Sequence, residues 1–504
     1  MKRRRVKRTD GGVQMNGLGK ITTLLGAGLL SACVNVQTTT LAPADTAAGP
    51  AASVAAETDY QLAQAALAQH IRILSADEFA GREPGTEGGR LTQAYIIAAL
   101  QSYGFQPGAS ETSYRQPVTL ERNGAGEARA TLVRGTRRAE MTGGDIRASG
   151  GSFDLTDVAV TQLASGDAVD TGALAGRAVL MQAGDARALL GQVMPAQPAA
   201  VVLVAASDAE FRQYAGFLSG GRWRLQGGEG AQPPILLIHT DVMEELAGDG
   251  ELSLTAQNAA ELEVRQTANV IGRLPGRVPG SGAVLMLAHW DHIGSNCAEE
   301  GAADQICNGA ADNASGTGVM LETARRIAAG GGLDRDLYIM GTTAEELGLL
   351  GANAFAADPP LPLSEIVAAF NTDTVAIAPR GSRVTVVGWG RTPLDEGIRT
   401  VVEGLGLPFE PDEYTDQFVN RQDGAALLTR GVPTVLVSSS FGDRERFDDF
   451  LSGPYHQADD EWSEDMELGG ATDDIFTHVA LLRHFGSVER YTPPAPGVPE
   501  NAGE

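Results

Sequence analysis

The stretch Ala283-Val284-Leu285-Met286-Leu287-Ala288, followed at once by His289-Trp290-Asp291-His292, decides the fold. Six consecutive apolar residues read as a strand buried on both faces, as in the middle of a parallel sheet. The pattern returns downstream. Leu337 to Met340 and Ile366 to Phe370 read as buried strands, and Thr434 to Val437 as a later one after Pro433. Ser315 to Ala329 and Leu347 to Phe355 read as helices between them. Strands alternating with helices predict an α/β fold with a mostly parallel central sheet flanked by helices.

Each of these strands leads into a segment rich in acidic or imidazole groups. His289 to His292 follow the first strand, and Gly309 to Gly316 (GAADNASG) precede a helix. Thr343 to Gly348 (TAEELG) follow the second strand, Asn371-Thr372-Asp373 ends the third, and Tyr455-His456 lies after the last. Ligands of open α/β sheets bind beyond the carboxyl ends of strands, so these segments are expected on one edge. Two zinc ions about 3.5–4 Å apart require a bridging carboxylate plus His and carboxylate on each side. An all-oxygen site would suit magnesium or calcium instead. Taken singly the segments are ordinary: an Asp before a helix is usually a cap, and a Glu pair opening one usually answers the helix dipole. Their joint occurrence after buried strands carries the reading.

Upstream, Leu62, Ala66, Ile71 and Ile73 recur at roughly helical spacing, and a second helix is expected from Gly89 to Tyr103. Residues 110–262 look different, with short β-like runs at Arg177 to Met181, Ala199 to Val204 and Pro234 to Ile238. They hold one histidine, His239, and read as an inserted β-rich module without catalytic chemistry of its own. The expected organisation is a leader 1–32, a flexible tether 33–57, a first domain part 58–125, an insertion 126–262, the main domain 263–490 and a disordered tail 491–504.

The leader is basic, with a short apolar stretch from Ile21 to Leu30, far below the ~20 residues of a membrane-spanning helix. Leu30-Ser31-Ala32-Cys33 resembles a bacterial lipobox, which implies lipidation at Cys33, export and attachment to a cell-envelope membrane facing the periplasm or exterior. The other two cysteines, Cys297 and Cys307, are close in sequence, and in an oxidising compartment a disulfide between them is expected; metal binding is the alternative. A net charge of −26 argues against nucleic acid, whose phosphates require a basic surface. With 504 residues, more than one core is expected, and 43% hydrophobic residues exclude wholesale disorder.

In order, AHWDH, GAADNASG, TAEELGLLG, NTD and YH resemble the co-catalytic zinc exopeptidase family that includes bacterial leucyl aminopeptidase, aminopeptidase Y and glutamate carboxypeptidase. LAGRAVLM and AAVVLV resemble the protease-associated domain that some members carry as an insertion. The resemblance implies the zinc exopeptidase fold, two zinc ions and peptide substrates, cleaved at a chain end by water activated between the metals. It implies His289 and Asp373 on one ion, Glu346 and His456 on the other, and Asp312 bridging. Asp291 is expected to accept the second ring N–H of His289, Glu345 to act as general base and Tyr455 to donate to the oxyanion. The chain departs from the family at Ala311, often acidic there, and at Arg421-Gln422-Asp423-Gly424, where a usual His is missing. An aminopeptidase is the favoured activity. A glutamate-type carboxypeptidase is the alternative, with Arg380, Arg383 and Arg391 as candidate carboxylate grips; a metal-free binding lipoprotein is a further one.

Overall fold

The structure, a computed structural model, describes residues 50–494 apart from 125, 220, 228–232, 296 and 298–301. The leader, Cys33 and the end of the chain beyond 494 lie outside the described residues. A helix starts at Pro50 and runs to Leu74, so the last part of the stretch expected to be a tether is helical. Its alanines, which lose little entropy in a helix, account for the difference. Among the described residues no helix is long and apolar enough to cross a membrane.

The main sheet runs, in spatial order, Thr385–Val387, Thr434–Ser438, Ile366–Asn371, Ala283–His289, Asp336–Thr342, Leu262–Leu274, Arg115–Asn123 and Arg224–Leu225, with Gln106–Pro107 also pairing to Leu262–Leu274. The four strands from Thr434–Ser438 to Asp336–Thr342 are mutually parallel. Antiparallel strands extend the sheet on both sides. Period-two alternation explains why the central strands are apolar throughout. Val284, Met286 and Ala288 enter a core shared with Leu67, Ile71, Met320 and Leu482 of three helices. Ala283, Leu285 and Leu287 enter the opposite core with Phe355 and Leu427. The helices expected near 315–329 and 347–355 are Gly316–Ala329 and Leu350–Ala357.

Eight further strands between Glu127 and Ala259 form a second sheet, with cores on its two faces. Ala200, Val202 and Val204 face one core, Val201 and Leu203 the other. The segment between 126 and 262 is not wholly separate, because Arg224–Leu225 leaves it to pair with Arg115–Asn123 of the main sheet.

Candidate metal centre

The carboxyl ends of the parallel strands deliver the site. His289 is the last residue of Ala283–His289, Asp373 lies two residues beyond Ile366–Asn371, and Glu345 and Glu346 follow Asp336–Thr342. Asp312 sits in an irregular turn before helix Gly316–Ala329, and His456 in the loop after helix Arg444–Ser452. Despite sequence separations of up to 167 residues, they meet. His289 Nε2 lies 3.3 Å from Asp312 Oδ1 and 3.3 Å from Asp373 Oδ1. His456 Nε2 lies 3.4 Å from Asp312 Oδ2 and 3.0 Å from Glu346 Oε2. Asp312 therefore turns one oxygen to each half, flanked on either side by one histidine and one further carboxylate.

The donors are poorly neutralised by the polypeptide. Among the described residues no arginine forms an ion pair with Asp312, Glu346 or Asp373; only histidines do. Burial works against Asp312, yet its contacts with His289 and His456 hold its carboxyl far below the ordinary range. Burial and the Asp312 charge likewise oppose Glu346, but His292 and His456 keep it at about 2. Although burial opposes its charged form, His456 is pushed up to about 10 by Asp312 and Glu346. Buried carboxylates held ionised and facing imidazoles are a donor set suited to divalent cations, and the geometry divides it into two positions sharing Asp312. Ala344, Thr374 and His456 all adopt left-handed backbone, φ 57°, 53° and 60°, costly conformations concentrated beside the donors.

One expected role needs correcting. The Nδ1 of His289 lies 3.2 Å from the backbone carbonyl of Asp291, whereas the Asp291 carboxylate is 4.0 Å away. That carboxylate accepts the Glu345 N–H instead, at 3.2 Å. It is fully buried, and burial pushes its pKa up to about 7. The chain bends after the strand so that the carbonyl, not the side chain, reaches back to the ring.

Three residues were missed by sequence reasoning. His292 Nδ1 lies 2.7 Å from Glu346 Oε1, so Glu346 is held between two histidines, and His292 is grouped with Asp312 and Glu346 as a possible donor set. The carboxylate of Asp460 accepts the N–H groups of Ala311 and Asp312, at 2.8 and 3.0 Å, and so fixes the turn that presents Asp312. Arg82 is buried, and its guanidinium donates to the carbonyls of Leu74, Trp290, Asn308 and Gly309. It thereby ties the loop after His289 to the loop before Asp312. Of these, only the second His of HWDH left a signal in the sequence; the partners of Arg82 and Asp460 are more than a hundred residues away, Leu74 excepted.

Cys297 and Cys307 are joined in a disulfide with Cα atoms 6.2 Å apart, and Cys307 is bridged by backbone to Gly294 beside the site. Two openings reach the centre. The inner one has an apolar wall of Phe418, Leu436, Phe441, Phe447, Leu451 and Tyr455, and polar lining from His289, Asp312, Glu345, Asp373, Thr374, Arg421 and Gln422. The segment Phe441 to Leu451, just before Tyr455-His456, thus borders the site through Phe441, Phe447 and Leu451. The outer one is a cleft of about 840 Å³, in the range of ligand sites, lined by Glu345, Glu346, His456, Tyr455, Trp223 and several arginines. Arg380, Arg383 and Arg391 are not among them; they pair with Glu57, with Glu410 and Asp412, and with Asp416. Tyr455 stacks on His456 at 3.8 Å, and burial drives its phenol far above the usual range.

Sheet and site together define an α/β protein with a paired metal-donor set at the carboxyl edge of its parallel strands. Residues 269–480 match the model of peptidase family M28. Aminopeptidase YwaD of Bacillus subtilis (strain 168) is 35% identical over 136 residues, 25% of this chain; the match spans about a quarter of that relative, 27% of its length. Among solved structures, the aminopeptidase from Aneurinibacillus sp. strain AM-1 superimposes with a TM-score of 0.50 at 18% identity, covering 83% of this chain and 93% of that one. That likeness shows a shared fold.

Proposed function

We propose that the chain is a zinc-dependent aminopeptidase using two zinc ions. The observation that carries this is the division of the Asp312 carboxylate, one oxygen toward His289 and Asp373 and the other toward His456 and Glu346. His289 and Asp373 would hold one ion, Glu346 and His456 the other, with Asp312 shared between them. When bound, zinc supplies a Lewis acid that polarises the scissile carbonyl and eases ionisation of water. Glu345, which lines both openings beside the donors, takes the proton of the attacking water and passes it to the departing amine. Tyr455, whose phenol stays protonated, donates a hydrogen bond to the developing oxyanion.

The Bacillus subtilis relative is named an aminopeptidase, which favours cleavage at the amino end. Engagement of Arg380, Arg383 and Arg391 in surface ion pairs weighs against the carboxypeptidase alternative they suggested. Export and a lipid anchor on Cys33 belong to the same proposal, resting on the leader. The test is hydrolysis of aminoacyl-nitroanilides against N-blocked dipeptides by the purified protein, with metal content measured in parallel. Nitroanilide cleavage abolished by chelator and restored by zinc, at two zinc per chain, is expected. Cleavage of only the blocked dipeptides would reverse the direction, and a metal-free active protein would end the proposal.

A further inference from the structure

The outer cleft carries charge of both signs, with Glu83, Glu345 and Glu346 beside its arginines, in a chain of net charge −26. Four of its lining residues are arginines, and they fall into two kinds. Arg122 and Arg265 are already satisfied: both pair with Glu263, Arg265 also pairs with Glu83, and both stack on Trp223 at 4.6 Å. Arg222 and Arg421 are different. Both are exposed, and among the described residues neither meets a carboxylate within 4.0 Å. Arg421 lies over the ring of Phe418 and lines both the inner pocket and the outer cleft, so it stands where the two join.

The position of Arg222 is built rather than incidental. It precedes Trp223 and the short strand Arg224–Leu225, which pairs with Arg115–Asn123. Gly221 packs so closely on the carbonyl of Asn123 that a Cβ there would collide with it. The segment between 126 and 262 therefore places one guanidinium at the mouth of the metal cleft, beside the Leu347–Gly348 turn.

We infer that Arg222 and Arg421 form a carboxylate-binding subsite, and that the preferred substrates are short peptides whose free C-terminal carboxylate reaches it. This rests on the aminopeptidase reading. The inner pocket, with its aromatic and aliphatic wall, receives the first side chain, the scissile bond lies over Asp312, and the remainder of the peptide leaves through the outer cleft. Guanidinium is the side chain best matched to a carboxylate, through paired N–H donors. The insertion thereby takes part in substrate selection.

The decisive comparison is kcat/KM of the native zinc-loaded protein for a Leu-Gly dipeptide, for Leu-Gly amide and for Leu-Glu amide. The free acid is expected to exceed Leu-Gly amide by tenfold or more, mainly through KM, with the ratio falling as salt rises. Arg222→Ala with Arg421→Ala should bring the ratio near one, and Arg→Lys at both should keep part of it. A native preference for Leu-Glu amide over Leu-Gly amide would show that the subsite also takes an acidic side chain. Equal cleavage of acid and amide by the native protein overturns the subsite while leaving the aminopeptidase reading intact. No cleavage of any of the three, nor of nitroanilides, sinks both.

Discussion

Glu345 and Glu346 are neighbours in sequence with opposite electrostatic fates. Burial pushes Glu345 well above the ordinary carboxylate range, while His292 and His456 hold Glu346 at about 2 against burial and the charge of Asp312. Adjacent carboxyl groups driven apart in this way divide the labour of proton carrier and fixed charge. Glu345→Gln removes the proton carrier and keeps the shape. It should retain both metals and lower kcat by about 10²–10⁴, the usual worth of a general base. Metal analysis beside kinetics checks this; metal lost in proportion to activity would make Glu345 a ligand. The same motif in the sequence, TAEELG, presented both residues without saying which is which, because the distinction is made by His292 and His456.

Helix Gly469–Phe485 and strand Thr434–Ser438 are joined by one buried carboxylate. Asp474 accepts Ser438 Oγ at 2.7 Å and Ser439 N–H at 3.0 Å, and burial pushes its pKa up to about 7. A carboxyl raised in the folded state contributes fully below its unfolded pKa, near 4. Its contribution then declines as pH rises toward 7, by at most ~1.4 kcal/mol per pH unit. Asp474→Asn is a neutral mimic of the protonated acid. It should unfold near the native midpoint in denaturant at pH 4.5 and become the more stable of the two by pH 7.5. A gap that stays constant across that range would mean that Asp474 ionises normally in the fold. At this scale the sequence was most readable where chemistry is repetitive. AVLMLA announced a two-faced strand, and the ligand motifs came at strand ends because that is where such sheets bind. The antiparallel strand Arg115–Asn123 was hidden, since its pattern is polar and broken by Pro117. Arg82, Asp460 and Arg222 were hidden too, since each acts through partners that only the folded chain brings near.

Across the whole molecule, the metal donors come from the main sheet alone. His289 ends a strand and Asp312, Glu346, Asp373 and His456 lie on loops at its carboxyl edge, and the second sheet between 127 and 259 supplies none of them. A ligand that binds only the folded state stabilises it by RT ln(1 + [L]/Kd), about 2.7 kcal/mol at a hundredfold excess over Kd. Chelation also leaves several carboxylates facing one another with only histidines to answer them. Removing the metals at neutral pH should therefore lower Tm by a few degrees, and zinc should restore it. The loss should be local as well as global. Hydrogen exchange is expected to quicken at 310–316, 343–348 and 453–460, whereas Leu252–Ala259, paired on both sides within the second sheet, should keep its protection. Equal loosening of both sheets would show that the two cores unfold as one cooperative body. Unchanged exchange at the ligand loops would mean that the polypeptide alone holds the site in shape, through Arg82 and Asp460, and that metal adds charge balance but no order.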